Sequence, residues 1–390
     1  MSVNVIYLNE TVWEAGLNRM RWLFDEFDNI MVNSSGGKDS AVVLGLALMV
    51  AEEKGRLPLD VMFVDQEGEW QATIDYMRIV RDDPRVRLHW LQMPIRLFNS
   101  ASTTEPWLYC WEEGKTWLRE KELDSIHENT LGTMTFGDLF NRYTDQYFKG
   151  GKCVSLVGMR TEESPGRLTA LTTFTTYKGE TWGKVEDKKK QQFYMCPIYD
   201  WSYVDVWKAI HDNGWHYNKL YDYQYQYGVP IREMRVSNVH HETALRSLYY
   251  MQEIDKDTWG RLVERLSGIN TVGILNEHFM APKQLPFMFS SWKEYRDFLL
   301  ERLVLPEPRE ILRRQFAAHE GRYIPEVQEQ LNKAEISMIL VNDFHGTKYN
   351  TFHAAHGMDS IKYRGERDLP LHGAIPKDHV HTSSVYQSAN

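Results

Sequence analysis

The sequence predicts an α/β fold with a mainly parallel, doubly wound sheet and a helical C-terminal elaboration. Short apolar runs alternate with helical patterns over residues 11–93, which is typical of a parallel sheet covered on both faces. A glycine-rich loop, SGGKDS, directly follows the first of these runs. From about residue 240 onward the apolar residues have helical spacing.

The elements follow one another in a regular order. Helices are predicted over residues 11–27, 41–53 and 70–81, and strands over residues 30–32, 61–64, 86–93 and 154–157. An insertion at about 100–150 contains an aromatic segment and then a helix near residues 136–148. Further helices are predicted over residues 244–254, 259–266, 292–303 and 325–333. We therefore expect an α/β nucleotide-binding domain over residues 1–235 and a mainly helical region with a loop-rich tail over residues 236–390.

Composition narrows the class of protein. With 390 residues, 42% of them hydrophobic, the chain has enough material for a large core. Its net charge of −9 argues against a surface devoted to nucleic acid or anionic lipid, although a local basic cleft and a homo-oligomer both stay open. Three widely spaced cysteines without a CxxC pair encode neither a disulfide framework nor a zinc or iron-sulfur set: Cys110, Cys153 and Cys196.

Targeting features are also absent from the sequence. The first residues, MSVNVIYLNETVWEAG, have no basic start, continuous apolar stretch or small-residue cleavage site. The longest strongly apolar run, residues 41–51, is much shorter than the roughly 20 residues that cross a bilayer. We expect a cytoplasmic protein without a membrane segment.

The SGGKDS loop has the features of a phosphate site. A strand followed by two glycines and a helix aims free backbone N–H groups at one point, as a pyrophosphate needs. Gly36 and Gly37 let the main chain approach the phosphates because they have no Cβ. Lys38 adds charge, Asp39 could hold Mg²⁺ or a water, and hydroxyl groups come from Ser34, Ser35 and Ser40. A glycine turn capped by Asp39 is the alternative interpretation.

Three later segments strengthen the functional interpretation, and together with the loop they resemble a known family. They are FVDQEGEW, VGMRTEESPGR, and CPIYDWSYVDVWKAI followed by YNKLYD. In this order they are similar to the N-type ATP pyrophosphatases, or PP-loop proteins, and within these to the phosphoadenylylsulfate reductase group, over about residues 28–230. The resemblance implies an adenine nucleotide alpha hydrolase-like fold, an adenine nucleotide ligand, and ATP with Mg²⁺ as cofactors.

The resemblance also implies a set of site residues. Catalytic roles are expected for Lys38, Asp39, Arg160 and Arg167. Metal binding is expected for Asp39 and Asp65. Nucleotide binding is expected for Ser34, Ser35, Gly36, Gly37, Lys38, Asp39, Ser40, Asp65, Gly158, Arg160 and Glu163.

Each supporting residue also has a structural interpretation. Arg160 and Arg167 could bracket phosphates from one helix with Glu163 positioning an arginine, or they could form a surface ion-pair network. The acidic residues after the second strand could bind ribose or Mg²⁺, or form a solvated loop: Asp65, Glu67 and Glu69. Aromatic residues could stack on adenine, or belong to the core: Trp107, Tyr109, Trp111 and Trp117. A tail metal site is less favoured than solvated histidines at His353, His356, His379 and His381.

The chain departs from the reductases at one point. They use a nucleophilic cysteine in a C-terminal Glu-Cys-Gly-Leu-His segment, which this sequence does not contain. The segment PIREMRVSNVHHE and the aromatic insertion are similar to a reductase-like subgroup, the immunoglobulin-binding regulator A type, which implies a ParB-like protein partner. Three functions therefore stay open: cleavage of ATP at its α-phosphate, nucleotide sensing without turnover, and sulfonucleotide reduction or sulfur transfer by one of the three cysteines.

Overall fold

The computed structural model describes residues 8–100, 102, 105–173, 176–236, 247–269, 283–344, 346, 348–349 and 352. The strands are β1 (Asn29–Ser34), β2 (Leu59–Val64), β3 (Val86–Leu91), β4 (Ile95–Phe98), β5 (Trp107–Cys110), β6 (Cys153–Leu156), β7 (Gly183–Asp187) and β8 (Gln192–Met195). The helices up to residue 227 are α1 (Val12–Glu26), α2 (Lys38–Glu53), α3 (Gln71–Asp82), α4 (Phe136–Tyr147), α5 (Pro165–Thr173), α6 (Tyr203–Asp212) and α7 (Leu220–Tyr227). Those that follow are α8 (Ser247–Ile254), α9 (Lys256–Arg265), α10 (Trp292–Leu303), α11 (Pro306–His319) and α12 (Pro325–Leu340).

A six-stranded sheet in the order β3-β2-β1-β6-β8-β7 forms the centre of the fold. All neighbouring pairs are parallel except β7 and β8 at one edge. The chain runs outward from β1 to β3 and then returns to the other side of β1 as β6. The direction of winding therefore reverses between β1 and β6, and a ligand crevice is expected at the carboxyl ends of these two strands.

Both faces of the sheet are covered, which confirms the predicted doubly wound α/β fold. On one face the apolar side chains of α1, α2, α3 and α6 pack against β1, β2 and β6. On the other face the side chains come from α4, α7, α8, α9 and the aromatic insertion. Helix α2 is buried on nearly every side, from Ser40 to Ala51, which explains its continuous apolar sequence.

The C-terminal helices α10, α11 and α12 enclose a third apolar cluster. Helix α11 was not predicted, because its sequence PEPREILRRQFAAH is rich in charge and begins with two prolines. Proline is tolerated in the first turn, where its missing N–H group has no intrahelical partner anyway. The sequence also does not predict the β4–β5 hairpin, the edge strand β7 or its neighbour β8.

In the part of the chain that the structure describes, no helix has the length and apolar character needed to span a membrane. The predicted loop-rich tail lies outside the described residues from position 353 onward, as do residues 244–246 of the first predicted C-terminal helix.

Candidate nucleotide site

The SGGKDS loop joins the end of β1 to the start of α2, as the sequence predicts. Gly37 is the N-cap of α2, and Gly36 has a φ of +71°, a left-handed conformation that favours glycine. The hydroxyl of Ser40 donates to the carbonyl oxygen of Gly37 at 2.9 Å and accepts from the N–H of Ser35 at 3.3 Å. These bonds hold the loop against the first turn of α2, at the carboxyl end of β1 where the crevice is expected.

Gly158 brings the end of β6 into direct contact with this turn. A Cβ added to Gly158 would lie 2.6 Å from the carbonyl carbon of Asp39 and 2.7 Å from the nitrogen of Ser40. Both neighbours are backbone atoms, which cannot rotate away as a side chain can. Gly158 therefore allows a close main-chain approach at the loop, while its expected part in nucleotide binding stays a prediction.

A chain of ion pairs crosses the loop. The ammonium of Lys38 lies 2.9 Å from Asp39 Oδ2, and Arg160 Nε donates to Asp39 Oδ1 at 2.5 Å. The Arg160 side chain is only 3% exposed, and its Nη1 donates to Glu162 at 2.7 Å and to the carbonyl oxygen of Trp201 at 3.2 Å. Asp39 therefore sits between two cations, one on each carboxylate oxygen.

Arg167 lies on α5 rather than on a helix shared with Arg160. A short 3-10 turn (Thr161–Glu163) separates the two residues, so the expected single helix is replaced by a bend. Arg167 forms an ion pair with Glu163. Partial burial lowers the pKa of Arg167, and the carboxylate of Asp39 opposes this effect.

Asp65 has contacts that differ from the expected role in metal binding. It is fully buried after β2, where Oδ2 accepts from Trp90 Nε1 and Gln92 Nε2, both at 2.9 Å, and forms an ion pair with Arg119. Its Oδ1 accepts from the N–H of Glu67 at 3.0 Å. Because Asp65 is fully buried and protein donors surround both of its oxygens, its role is to organise the loop after β2, not to bind a metal.

Glu67 and Glu69 are buried as well, which corrects the interpretation as a solvated acidic loop. The carboxylate of Glu67 is held by Arg265 Nε at 2.8 Å and by the N–H of Trp111 at 2.7 Å. Arg265 belongs to α9, so this buried ion pair joins the C-terminal region to the loop after β2.

The aromatic insertion supports this acidic loop rather than an open ligand face. Trp111 is 1% exposed and donates from Nε1 to the carbonyl oxygen of Asp65 at 2.8 Å. Trp107 stacks on Phe98 with 4.4 Å between ring centroids. The ammonium of Lys121 lies over the ring of Trp117, 4.6 Å from the ring centroid. Trp111 therefore belongs to the core, whereas Trp107 and Trp117 are half-buried and Tyr109 is exposed.

Two residues of the YNKLYD segment hold the phosphate loop and were not predicted as site residues. Asn218 is fully buried, and its Nδ2 donates to the carbonyl oxygen of Gly36 at 3.1 Å and to Thr73 Oγ1 at 2.9 Å. The hydroxyl of Tyr221 accepts from the N–H of Lys38 at 3.2 Å. The segment is one of the family-like motifs, but nothing in the sequence spacing predicts that it contacts a loop about 180 residues earlier in the chain.

The three cysteines are buried and poorly suited to nucleophilic attack. Burial raises the pKa of Cys153 to about 11 and that of Cys196 to about 12, and it raises the pKa of Cys110 well above its usual range. Cys153 pairs in register with Asn29 at the amino end of β1, the edge of the sheet opposite the loop. Cys196 follows β8 at the same edge as the loop, with its thiol inside the core.

The described residues contain no group of three or more His, Cys, Asp or Glu side chains arranged to hold a metal ion. The four tail histidines, His353, His356, His379 and His381, lie outside the described residues.

Comparisons with known proteins agree with this geometry. The family model "Phosphoadenosine phosphosulfate reductase domain" matches residues 29–227, and a model for a domain of unknown function, DUF3440, matches residues 228–370. The chain therefore belongs to the phosphoadenosine phosphosulfate reductase domain family.

Individual relatives are more distant. The chain is 28% identical over 315 residues to the uncharacterized protein YbdN of Escherichia coli (strain K12), covering 77% of each chain. It is 22% identical to the adenosine 5'-phosphosulfate reductase of Lysinibacillus sphaericus (strain C3-41), over 57% of this chain and 81% of that protein. A solved phosphoadenylyl-sulfate reductase from Candida auris aligns with a TM-score of 0.34 at 15% identity, over 61% of this chain and 99% of the other.

Substituting Gly158 with alanine tests the close approach at the loop. We expect Gly158→Ala to destabilise the protein by about 1–3 kcal/mol, because the new Cβ would overlap the main chain of Asp39 and Ser40. Gly260→Ala on α9 is the matched control, because the new Cβ would meet no atom within 4 Å. This substitution should stabilise the protein by about 0.5–1 kcal/mol. Urea denaturation measures both, and equal stabilities of the two variants would contradict the packing described.

Removing Arg265 tests the buried ion pair with Glu67. Arg265→Ala should cost about 3 kcal/mol in unfolding free energy, because it leaves the buried Glu67 carboxylate without its cation. Arg314→Ala, at a site with 79% of the side chain exposed, should change stability by less than about 0.5 kcal/mol. A loss at Arg265 no larger than that of the control would show that the pair does not hold α9.

Thiol reactivity tests the environment of the cysteines. Because burial raises the pKa of each thiol, the protonated and unreactive form persists in the folded protein up to about pH 10 for Cys153 and about pH 11 for Cys196. A thiol-specific reagent at pH 8 should therefore react slowly with the folded protein and rapidly in urea. Fast reaction of even one equivalent with the folded protein at pH 8 would contradict this prediction.

Proposed function

We propose that this member of the phosphoadenosine phosphosulfate reductase domain family binds an adenine nucleotide at residues 34–40 and cleaves ATP at its α-phosphate: a nucleophilic acceptor group bonds to the α-phosphorus and becomes adenylylated, and pyrophosphate leaves. One observation carries the proposal: Lys38, Asp39 and Arg160 meet at the first turn of α2, at the winding reversal of a parallel sheet. Helix N-termini and strand ends of this kind bind phosphate groups.

The loop residues have distinct roles in this reaction. The amides of the first turn of α2 and the ammonium of Lys38 would stabilise the negative charge that develops on the leaving pyrophosphate. Arg160 is held rigidly by Asp39, Glu162 and the carbonyl oxygen of Trp201, so its guanidinium has little freedom left to lose when a phosphate binds. Arg167 would neutralise charge from the side of α5.

Asp39 is the residue we assign to Mg²⁺. Magnesium is usually bound by one or two carboxylates together with substrate phosphates, so a single carboxylate at the loop fits this mode. When bound, the ion would neutralise phosphate charge and polarise the reacting bond. In the structure both oxygens of Asp39 are engaged by cations, so binding Mg²⁺ requires Asp39 to release Lys38 or Arg160.

The same pairing of Asp39 favours a second candidate function, nucleotide sensing without turnover. A carboxylate already neutralised by two cations is a weaker ligand for Mg²⁺, while the loop amides and arginines still attract phosphates. In that case the nucleotide would control association with a partner protein. The resemblance to the immunoglobulin-binding regulator A type suggests a ParB-like protein as that partner.

Sulfonucleotide reduction is less well supported than either alternative. The sequence contains no Glu-Cys-Gly-Leu-His segment, and Cys110, Cys153 and Cys196 are all buried with raised pKa values. A sulfur-transfer reaction would have to expose one of these thiols first.

Calorimetric titration with Mg-ATP and, separately, with phosphoadenylylsulfate tests the proposal. Lys38→Ala should weaken Mg-ATP binding by about 10- to 100-fold, since it removes a charge-assisted contact with the phosphates. Lys208→Ala on α6, where 70% of the lysine side chain is exposed, is the matched control and should bind as the wild type does.

Pyrophosphate release then separates the two candidates. Release that depends on Lys38 and Asp39, in the presence of a suitable acceptor, supports the enzyme. Tight ATP binding without release supports the sensor. Absence of ATP binding by the wild-type protein would contradict both, and binding of phosphoadenylylsulfate alone would return the function to sulfur metabolism.

A further inference from the structure

The first N–H groups of the phosphate loop already have acceptors within the protein. Three of them donate to serine hydroxyls of the loop itself: Ser35 N–H to Ser40 Oγ at 3.3 Å, Gly36 N–H to Ser34 Oγ at 3.3 Å, and Gly37 N–H to Ser35 Oγ at 3.4 Å. A serine hydroxyl moves by rotation about a single side-chain bond. These three amides can therefore exchange a serine oxygen for a phosphate oxygen without any movement of the main chain.

The next amide, that of Lys38, has an acceptor from a distant part of the chain. It donates to the hydroxyl of Tyr221 on α7 at 3.2 Å. Lys38 is the first residue of α2, where an N–H group has no acceptor within the helix. Such N–H groups are the ones that a helix offers to a bound phosphate. The phenol of Tyr221 therefore occupies a donor that the loop would otherwise present to an anion.

Tyr221 cannot turn aside as a serine can. The residue is 4% exposed, and its ring contacts the ring of Trp207 edge-on, with 5.4 Å between the centroids. The start of α7 is also tied to the loop, because Asn218 Nδ2 donates to the carbonyl oxygen of Gly36 and Asn218 Oδ1 accepts from the N–H of Leu220 at 2.9 Å. Separating the phenol from Lys38 therefore requires α7 and the loop to shift relative to each other.

The phenol is nevertheless a weaker acceptor than a phosphate oxygen. Burial raises the pKa of Tyr221, so its hydroxyl stays neutral at physiological pH. A hydrogen bond to a charged oxygen is roughly twice as strong as one to a neutral oxygen. The ammonium of Lys38 lies 5.3 Å from the centre of the Tyr221 ring, so positive charge is available beside the same amide. A phosphate at the loop can therefore compete with the phenol for the Lys38 N–H group.

We propose that Tyr221 limits the phosphate affinity of the loop: its hydroxyl occupies the Lys38 N–H group, and a bound phosphate gains this donor only by displacing the phenol. This inference rests on the proposed nucleotide binding but not on turnover. It couples the ligand to the C-terminal region, because α7 leads directly into the segment whose Val236 packs beside Gly37. Displacement of the phenol would shift this connection between the two regions.

The variant Tyr221→Phe tests the inference, because it keeps the ring and removes the acceptor. Calorimetric titration should show that it binds inorganic pyrophosphate and Mg-ATP about 3- to 10-fold more tightly than the wild type, since the Lys38 N–H group then has only the phosphate as its acceptor. Without a ligand the variant should unfold at lower urea concentration than the wild type, because the same N–H group is left unpaired. A residue that contacts the phosphate would instead lose affinity on this substitution.

Tyr225→Phe is the matched control, since it makes the same chemical change on the same helix at a residue that is 69% exposed. It should leave both affinities and the stability unchanged. Binding by Tyr221→Phe that is weaker than that of the wild type, or equal to it, overturns the inference. The proposed function still stands in that case if Lys38→Ala loses Mg-ATP binding. Binding by Tyr221→Phe but not by the wild type supports the inference, and binding by neither protein contradicts both.

Discussion

The candidate site depends on the contact between Gly158 and the first turn of α2. Strands β1 and β6 are parallel neighbours, and the direction of winding reverses between them, so the segments that follow them share the space at their carboxyl ends. A residue with a Cβ at position 158 would push against the main chain of Asp39 and Ser40, and the two segments could not meet. Because they do meet, Arg160, two residues farther along, reaches Asp39 across the loop. The ion pair between Arg160 and Asp39 therefore depends both on the strand order and on the glycine at position 158.

The C-terminal region is part of this arrangement rather than an appendage. Arg265 neutralises the buried Glu67, and Asp255 accepts from the N–H of Gln71 at the start of α3 at 2.9 Å. Both contacts hold the carboxyl side of β2 and the start of the next helix. The side chain of Val236 packs beside Gly37 of the loop. Since charges buried in this way are costly to separate, we expect the two regions to fold together and to respond together to a ligand.

Asp39 is the residue on which the choice between enzyme and sensor depends. Lys38 and Arg160 contact its two oxygens in the structure. Under the proposed catalysis Asp39 would share these oxygens with Mg²⁺, whereas the proposed sensing would leave the two ion pairs unchanged. Burial raises the pKa of all three cysteine thiols, which makes them poor nucleophiles in the folded protein.

The sequence by itself determined the α/β class, the four parallel strands β1, β2, β3 and β6, and the glycine-rich loop, because these depend on local periodicity and on glycines next to a helix start. It also identified Arg160, Gly158 and the YNKLYD segment as parts of family-like motifs. Only the tertiary structure decided that Asp65 and Glu67 are buried and paired with Arg119 and Arg265, since a strand-end carboxylate looks the same in sequence whether it faces a ligand or an arginine. The roles of Asn218, Tyr221 and Val236 were likewise decided by tertiary packing, because contacts between residues nearly two hundred positions apart leave no trace in local spacing.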